Sequence, residues 1–410
     1  MKQSVQKIVR FHTRCTCGNE TLKCNNGFSG YFYNPLKHIK IKIRNENFTA
    51  KIIDFRFNDL RNLTKNEILP GHESKVEALH FYYNNIATIE DGTFDKFTSL
   101  KILSMKFNEL KSMNDTILTK QLGSTLTELD LSMNGLKNLS TSVFQHLTKL
   151  TSLNLHENSR INLISKINGI NVTIFPEALS NLKTLDLRLC NIKTLDDNIF
   201  INLRSLESLD ISHNPLKTIP KAIKSLSNIR YLNLGSSEIV SINDCDFCNL
   251  PNLKTLLFTY SFYLTNINEN AFGALNNAST VPQLNEFSIQ SCNVSVLPEK
   301  LLNWKNLSKI DIKHNPITCN CSMAWLINDY NATTPMIVDK MIDYRNNSYK
   351  NDLYCSSPSS FGPHLHTLAG DFCSNKTELT DIKDKSDEIY HVCKENDDNG
   401  VKDEEDKSRF

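Results

Sequence analysis

The sequence predicts an α/β solenoid: short parallel strands stacked into one concave sheet, short helices and irregular segments on the convex side, and disulfide-stapled ends. Three observations predict it. An eleven-residue pattern, apolar at offsets 0, 3, 5 and 10 with Asn at offset 8, reads cleanly from Leu206 to Leu216. It recurs from eleven starts, Ile52, Val76, Leu100, Leu126, Leu150, Leu182, Leu206, Ile229, Leu253, Leu284 and Leu307, with a period near 24 residues and two longer members. Cysteines cluster at both ends, Cys15, Cys17 and Cys24 before the repeats and Cys319, Cys321, Cys355 and Cys373 after them.

Each unit justifies a strand. Offsets 3 and 5, such as Leu209 and Ile211, alternate with polar residues, the period of a strand with one buried face. So short a strand cannot bury that face alone, so copies must stack over a continuous core. Asn84, Asn108, Asn134, Asn158, Asn214 and Asn315 fall at offset 8 among core leucines. A buried amide there requires backbone partners from neighbouring turns. Cys190, Ser237, Ser261 and Cys292 replace Asn with small residues that still donate one hydrogen bond, and the two cysteines read as buried thiols. The first unit fits worst, because Leu60 falls where Asn belongs. The other half of each unit carries F-x-x-L-x-x-L, as in Phe144-Leu147-Leu150 and Phe200-Leu203-Leu206, which packs the convex side.

Taken in order, residues 1–50 read as a basic N-terminal region, with nine Lys/Arg against two Asp/Glu and an alternating run from His38 to Arg44 expected to be a strand. Residues 51–317 hold the repeats. Insertions around Arg160–Pro176 and Gly273–Pro282 are expected to be exposed loops. Cys245-x-x-Cys248 on the convex half reads as a local disulfide or two partly buried thiols. Residues 315–374 close the array; neighbouring Cys319 and Cys321 cannot easily bridge each other, so each must reach downstream. Residues 375–410 turn acidic and read as a disordered tail. Cys393 there has no obvious mate, which leaves an intermolecular bridge or a link to Cys17 open.

The formal net charge is +1 and no nucleic-acid footprint stands out. No run approaches the roughly eighteen apolar residues of a membrane span. Met1 to Arg14 holds no apolar leader core. The cysteine clusters and many N-x-S/T sequons, among them Asn47, Asn62, Asn114, Asn138, Asn171, Asn277 and Asn331, nevertheless point outside the cell. Asn293 also heads a sequon.

The repeat, L-x-x-L-x-L-x-x-N-x-L, resembles that of extracellular leucine-rich repeat proteins with cysteine-rich caps, as in Toll-like receptor ectodomains, chaoptin, Slit and the acid-labile subunit. Cys15-x-Cys17-x6-Cys24 resembles their N-terminal flanking domain without its first cysteine. Asn315-Pro316-x-x-Cys319-x-Cys321-x3-Trp325-Leu326 followed by Cys355 and Phe372-Cys373 resembles the C-terminal one. The resemblance implies pairs Cys15–Cys24, Cys319–Cys355 and Cys321–Cys373, with Trp325 and Leu326 as a lid. An unmatched Cys17 and a missing leader together lead us to expect that the true N-terminus lies upstream. In such families a curved solenoid binds protein, glycan or lipid ligands on its concave sheet or flank.

No motif for catalysis, a cofactor or a metal is present. We therefore expect a non-enzymatic, secreted or cell-surface glycoprotein that binds a protein ligand, with or without glycan or lipid, in recognition, adhesion or innate immunity. Its alternatives are a non-catalytic subunit stabilising a secreted complex and, disfavoured by the cysteines, a cytosolic scaffold. Side chains at offsets 4 and 6 point away from the core: His80, Tyr82, Lys106, Asp130, Asn154, His156, Asp186, Arg188 and Asp210 are the candidate ligand-binding set. His80, Tyr82 and Lys106 form its expected hot spot. The recurring aspartates also fit local hydrogen bonding.

Overall fold

The computed structural model describes residues 15–24, 49–273, 281–332, 336–337, 354–356, 361–364 and 373. Thirteen strands form one sheet. Eleven are the repeat strands of turns one to eleven: Ile52–Asp54, Ala78–His80, Ile102–Ser104, Glu128–Asp130, Ser152–Asn154, Thr184–Asp186, Ser208–Asp210, Tyr231–Asn233, Thr255–Leu257, Glu286–Ser288 and Lys309–Asp311. Each pairs in parallel with the next, with Leu79, Leu103, Leu129, Leu153, Leu185, Leu209 and Leu232 in one row. Ahead of them, the hairpin of Thr16–Gly18 and Thr21–Lys23 adds its second strand in parallel to Ile52–Asp54. The array is thus the expected curved solenoid, with the sheet on the concave side and mainly turns and short 3-10 segments on the convex side.

The first turn corrects the register read from sequence. Ile53 pairs with Leu79, which makes Ala50 the unit's start in place of Ile52. Asn58 then takes the ladder place given to Leu60, and Leu60 becomes an ordinary core residue. Asp54 and Arg56 thereby take the outward offsets 4 and 6, which a start at Ile52 would assign to Arg56 and Asn58. A strand repeats every two residues, so a slip of two leaves its apolar pattern nearly unchanged. In the sequence, the ladder amide at Asn58 is what distinguishes the two registers.

That ladder holds the turns together. Asn214 Nδ2 donates to Leu187 O and Ile211 O, both at 2.9 Å, and its Oδ1 accepts from the N–H groups of Cys190 and Ile192. Asn84 and Asn158 likewise donate to a carbonyl of the preceding turn and one of their own, and each accepts one N–H from the preceding turn. Cys190 and Cys292 replace the amide donor with their thiols, aimed at Leu155 O and Phe258 O. Just before each ladder residue, one residue per turn is left-handed, Phe57, Tyr83, Phe107, Met133, Glu157, Leu189, His213, Ser236, Tyr260, Ser291 and His314, with φ from 51 to 61°. This conformation costs a non-glycine residue about 1–2 kcal/mol, and here it swings the following side chain inward.

Phenylalanines fill the core. Phe247 stacks on Phe272 at 5.2 Å, and the row runs through Phe287 and Trp304 to Trp325. Trp325 stacks 5.1 Å from Trp304, and Leu326 beside it is fully buried, so the helix Ala324–Asn331 lies over the last turn. In turn three Gly123 is required by a close approach: a Cβ there would sit 1.9 Å from the carbonyl oxygen of His146.

Disulfides join Cys15 to Cys24, Cys319 to Cys355, Cys321 to Cys373 and Cys245 to Cys248. The last resolves the two readings of that pair in favour of the local bridge. Burial pushes the thiols of Cys190 and Cys292 up to about 12. They stay protonated and shielded at neutral pH. Alkylation of the native chain at pH about 8 is accordingly expected to spare all ten of these cysteines. After denaturation without reductant, peptide mapping should find label on Cys190 and Cys292 and on none of the paired eight. The side chain of Cys17 and residue Cys393 lie outside the described residues, as do His38 to Arg44 and the tail from 375.

The insertion at Arg160–Pro176 is more ordered than the loop expected. Ile164–Ile167 and Ile170–Thr173 form an antiparallel hairpin. Most of the second insertion, 274–280, lies outside the described residues. No helix among the described residues is long and apolar enough to cross a membrane.

Candidate functional site

Residues at offset 4 form one row along the sheet, and their first task is local. The Oδ1 atoms of Asp130, Asn154, Asp186 and Asp210 accept from the backbone N–H two residues on, at 3.0 Å in each case. Asp54 and Asp311 do the same. Each ends its strand with an Asx turn, which satisfies an N–H that leaves the ladder of the sheet. The recurrent aspartate is therefore explained by backbone chemistry before any ligand is considered.

Two groups stand out in this regular surface. Across turns six and seven, Arg188 grips Asp186 through Nε at 3.0 Å and Nη2 at 2.6 Å, with Asp210 3.8 Å away. The guanidinium is held above its ordinary range chiefly by the hydrogen bond to Asp186. This brings together three of the candidate residues as a half-exposed ion cluster. Asp130, Asn154 and His156 lie between the two groups. His156 Nδ1 is buried with no hydrogen-bond partner among the described residues, and its Nε2 is 3.6 Å from Glu157.

The second group is aromatic and cationic. Arg56 is clamped by Asp54 through Nε and Nη2, and its guanidinium lies 4.9 Å over the ring of Tyr82. His80 meets Tyr82 edge-on at 6.1 Å. Beside them runs a ladder of rings on the left-handed row: Phe57 stacks on Tyr83 at 4.9 Å, and Tyr83 lies 4.4 Å from Phe107. Tyr83 is 36% and Phe107 43% exposed, unusual for large rings in successive turns. Lys106, next to Phe107, has no ion pair among the described residues. Offset 7 was missed in the sequence because its residue types vary down the array. The left-handed turn that aims them outward emerges only in three dimensions. The strand-opening row, which includes Ile52, Glu128, Tyr231 and Lys309, shares the concave face and was also missed, although strict alternation places it there.

His80 is sensitive to pH. Burial is the largest influence and holds its pKa below 6.5, with Arg56 acting the same way and Asp54 and Glu128 opposing. The unfolded imidazole titrates near 6.5. Below that pH the unfolded chain binds a proton that the folded chain resists, so stability falls as pH drops from about 6.5 through the folded pKa. Above 6.5 this contribution is absent. His80→Gln should therefore lose less stability than the parent between pH about 7.5 and about 5 in urea titrations.

Among the described residues no group of His, Cys, Asp or Glu side chains is placed to hold a metal ion. A cavity of about 720 Å³ beside the last turns is lined by Val281, Trp304, Trp325 and Ile337, with Glu299, Lys300, Lys305 and Asp329 among its polar lining.

A family profile described as a leucine rich repeat matches residues 180–239, and one described as a BspA type leucine rich repeat region in six copies matches residues 72–166 and 225–352, over half the chain together. An uncharacterized leucine-rich repeat-containing protein of Schizosaccharomyces pombe is 27% identical over 207 residues, 50% of this chain and 32% of that protein. The chain thus spans about a third of the length of the curated relative it matches. A chain from the octameric complex of Latrophilin 3, Unc5D and FLRT2, in which FLRT2 contributes the leucine-rich repeats, shares the fold with a TM-score of 0.62 at 20% identity, covering 88% of this chain and 98% of that one. A Leptospira interrogans leucine-rich repeat protein superposes with a TM-score of 0.45 at 24% identity, over 63% of this chain and 68% of that one.

Proposed function

The chain belongs to the leucine-rich repeat family, and from that premise we propose that it is a non-catalytic, extracellular binding protein that holds a protein ligand against its first turns. One observation carries this reading: Arg56, His80, Tyr82 and Lys106 on the concave face adjoin the exposed ring ladder of Tyr83 and Phe107. Aromatic and cationic side chains dominate the binding energy of protein interfaces. Rings held by stacking and a guanidinium clamped by a carboxylate lose little side-chain entropy on contact. The ion cluster of Asp186, Arg188 and Asp210 is a secondary contact region, a weaker anchor because its one guanidinium is already paired with Asp186. The extracellular setting is supported by the eight paired cysteines and by the family-like spacing around Cys319 and Cys321. The FLRT2 repeats, which share the fold, occur in a complex with Latrophilin 3 and Unc5D, the kind of role proposed here.

The test is an array of secreted and cell-surface protein domains probed with the parent chain and three variants. Tyr82→Ala and Lys106→Glu are each expected to weaken the captured ligand roughly thirtyfold, ~2 kcal/mol. Lys221→Glu, on the outer 3-10 turn Lys221–Ser225, should bind as the parent does. Binding that survives both inner-face changes, or is lost with the outer one, rejects this surface.

A further inference from the structure

Turn nine departs from its neighbours. In turns eight and ten, two steps separate the ladder residue from the next buried apolar residue, Ser237 to Ile239 and Cys292 to Val294. In turn nine the interval is three, Ser261 to Leu264. The extra residue forces Phe262 and Tyr263 outward, 64% and 60% exposed, beside Tyr260, whose ring lies 6.3 Å from that of Phe262. Nothing in the core accounts for three large exposed rings in four residues.

The next turn supplies an occupant. The backbone N–H of Asn293 donates to Leu264 O at 2.9 Å, which sets Asn293 directly against the segment that carries Tyr263. Asn293-Val294-Ser295 is a sequon whose Asn and Ser are exposed while Val294 is buried, so the chain presents both groups on one side. A pyranose offers a face of C–H groups that packs on an aromatic ring, with its hydroxyls directed to water and to polar neighbours. The flanking Ser236, Ser291 and Ser295 provide such neighbours and carry no charge. By contrast, Asn171, also an exposed sequon, has its amide nitrogen engaged by Asp196 at 2.9 Å.

We propose that Asn293 carries an N-linked glycan whose first sugars lie over Phe262 and Tyr263. This rests on the extracellular reading above. In the modification the side-chain nitrogen of Asn293 bonds to the anomeric carbon of a lipid-linked pyrophosphate oligosaccharide. The bond from that carbon to the pyrophosphate oxygen breaks, the lipid pyrophosphate leaves with the electron pair, and the amide gives up one proton. The attached glycan then removes the exposed rings from water, an arrangement that stabilises the turn with the irregular spacing.

The experiment uses the full chain, made through the secretory pathway of a glycosylating host. Glycopeptide mapping is expected to find Asn293 occupied. Hydroxyl-radical footprinting should show oxidation of Phe262 and Tyr263 rising severalfold after enzymatic glycan removal, and equally in Asn293→Gln and Ser295→Ala, with Tyr83 and Phe107 unchanged. Enzymatic removal on the parent chain keeps the test valid should either variant fold poorly. An empty Asn293 beside occupied Asn62 or Asn114 overturns the inference alone. So does an occupied Asn293 whose removal leaves the oxidation of both rings unchanged. If no sequon is occupied, the extracellular reading falls and takes this inference with it.

Discussion

Replacing Asn214 with leucine is expected to destabilise the solenoid by roughly 4 kcal/mol or more, measured by urea titration. Leucine keeps the branching of asparagine but makes no hydrogen bond, so the orphaned backbone groups dominate the loss. Five backbone groups meet this amide: the carbonyls of Leu187, Ile211 and Ser212 and the N–H groups of Cys190 and Ile192. All are buried, and each orphaned group costs roughly 1–3 kcal/mol. Asn214→Ser should lose less, because serine occupies this place in turns eight and nine, where Ser237 and Ser261 lie with hydroxyls 3.2 Å apart. Because each turn contacts only its neighbours, the defect should act locally. Amide exchange is therefore expected to quicken first in turns six to eight. A leucine variant as stable as the parent would remove the ladder from any account of how the turns are held.

The second large effect is expected at the end of the array. Converting Cys321 and Cys373 to serine opens a bridge between residues 52 apart in sequence. Loop closure over that length contributes about 4 kcal/mol by restricting the unfolded chain. The native end turn depends on it more than an interior turn would, since only one neighbour covers the core there. The stacked pair of Trp304 and Trp325 lies at that boundary, so the variant should show a red-shifted, more quenchable tryptophan emission together with a lowered midpoint. Unchanged emission and an unchanged midpoint would mean that the helix Ala324–Asn331 seals the end unaided.

Much of this was legible before any coordinates, for a definite reason. A buried strand residue, a ladder amide and a convex phenylalanine each require a particular residue type at a particular interval, and eleven repetitions make the intervals visible. Leu209, Asn214 and Phe200 could be assigned by counting. Counting failed where the physics is degenerate. The start at Ile52 slipped by two because alternation is blind to such a shift, and the pairing of Ile53 with Leu79 and the contacts of Asn58 show the true register. The hairpin within Arg160–Pro176 escaped because an insertion occurs once and offers no interval to read.

The sequence by itself determined that this chain stacks short parallel strands over one leucine-rich core, with small hydrogen-bonding residues linking successive turns. Periodic burial demands periodic chemistry, and that is written in the order of residues. The tertiary structure alone decided which outward side chains meet. Phe57, Tyr83 and Phe107 are separated by 26 and 24 positions, yet their rings touch because each follows a strand through the same left-handed turn. A surface formed from one residue in every turn has no local signature, since solvent exposure imposes no residue type until the turns are laid side by side.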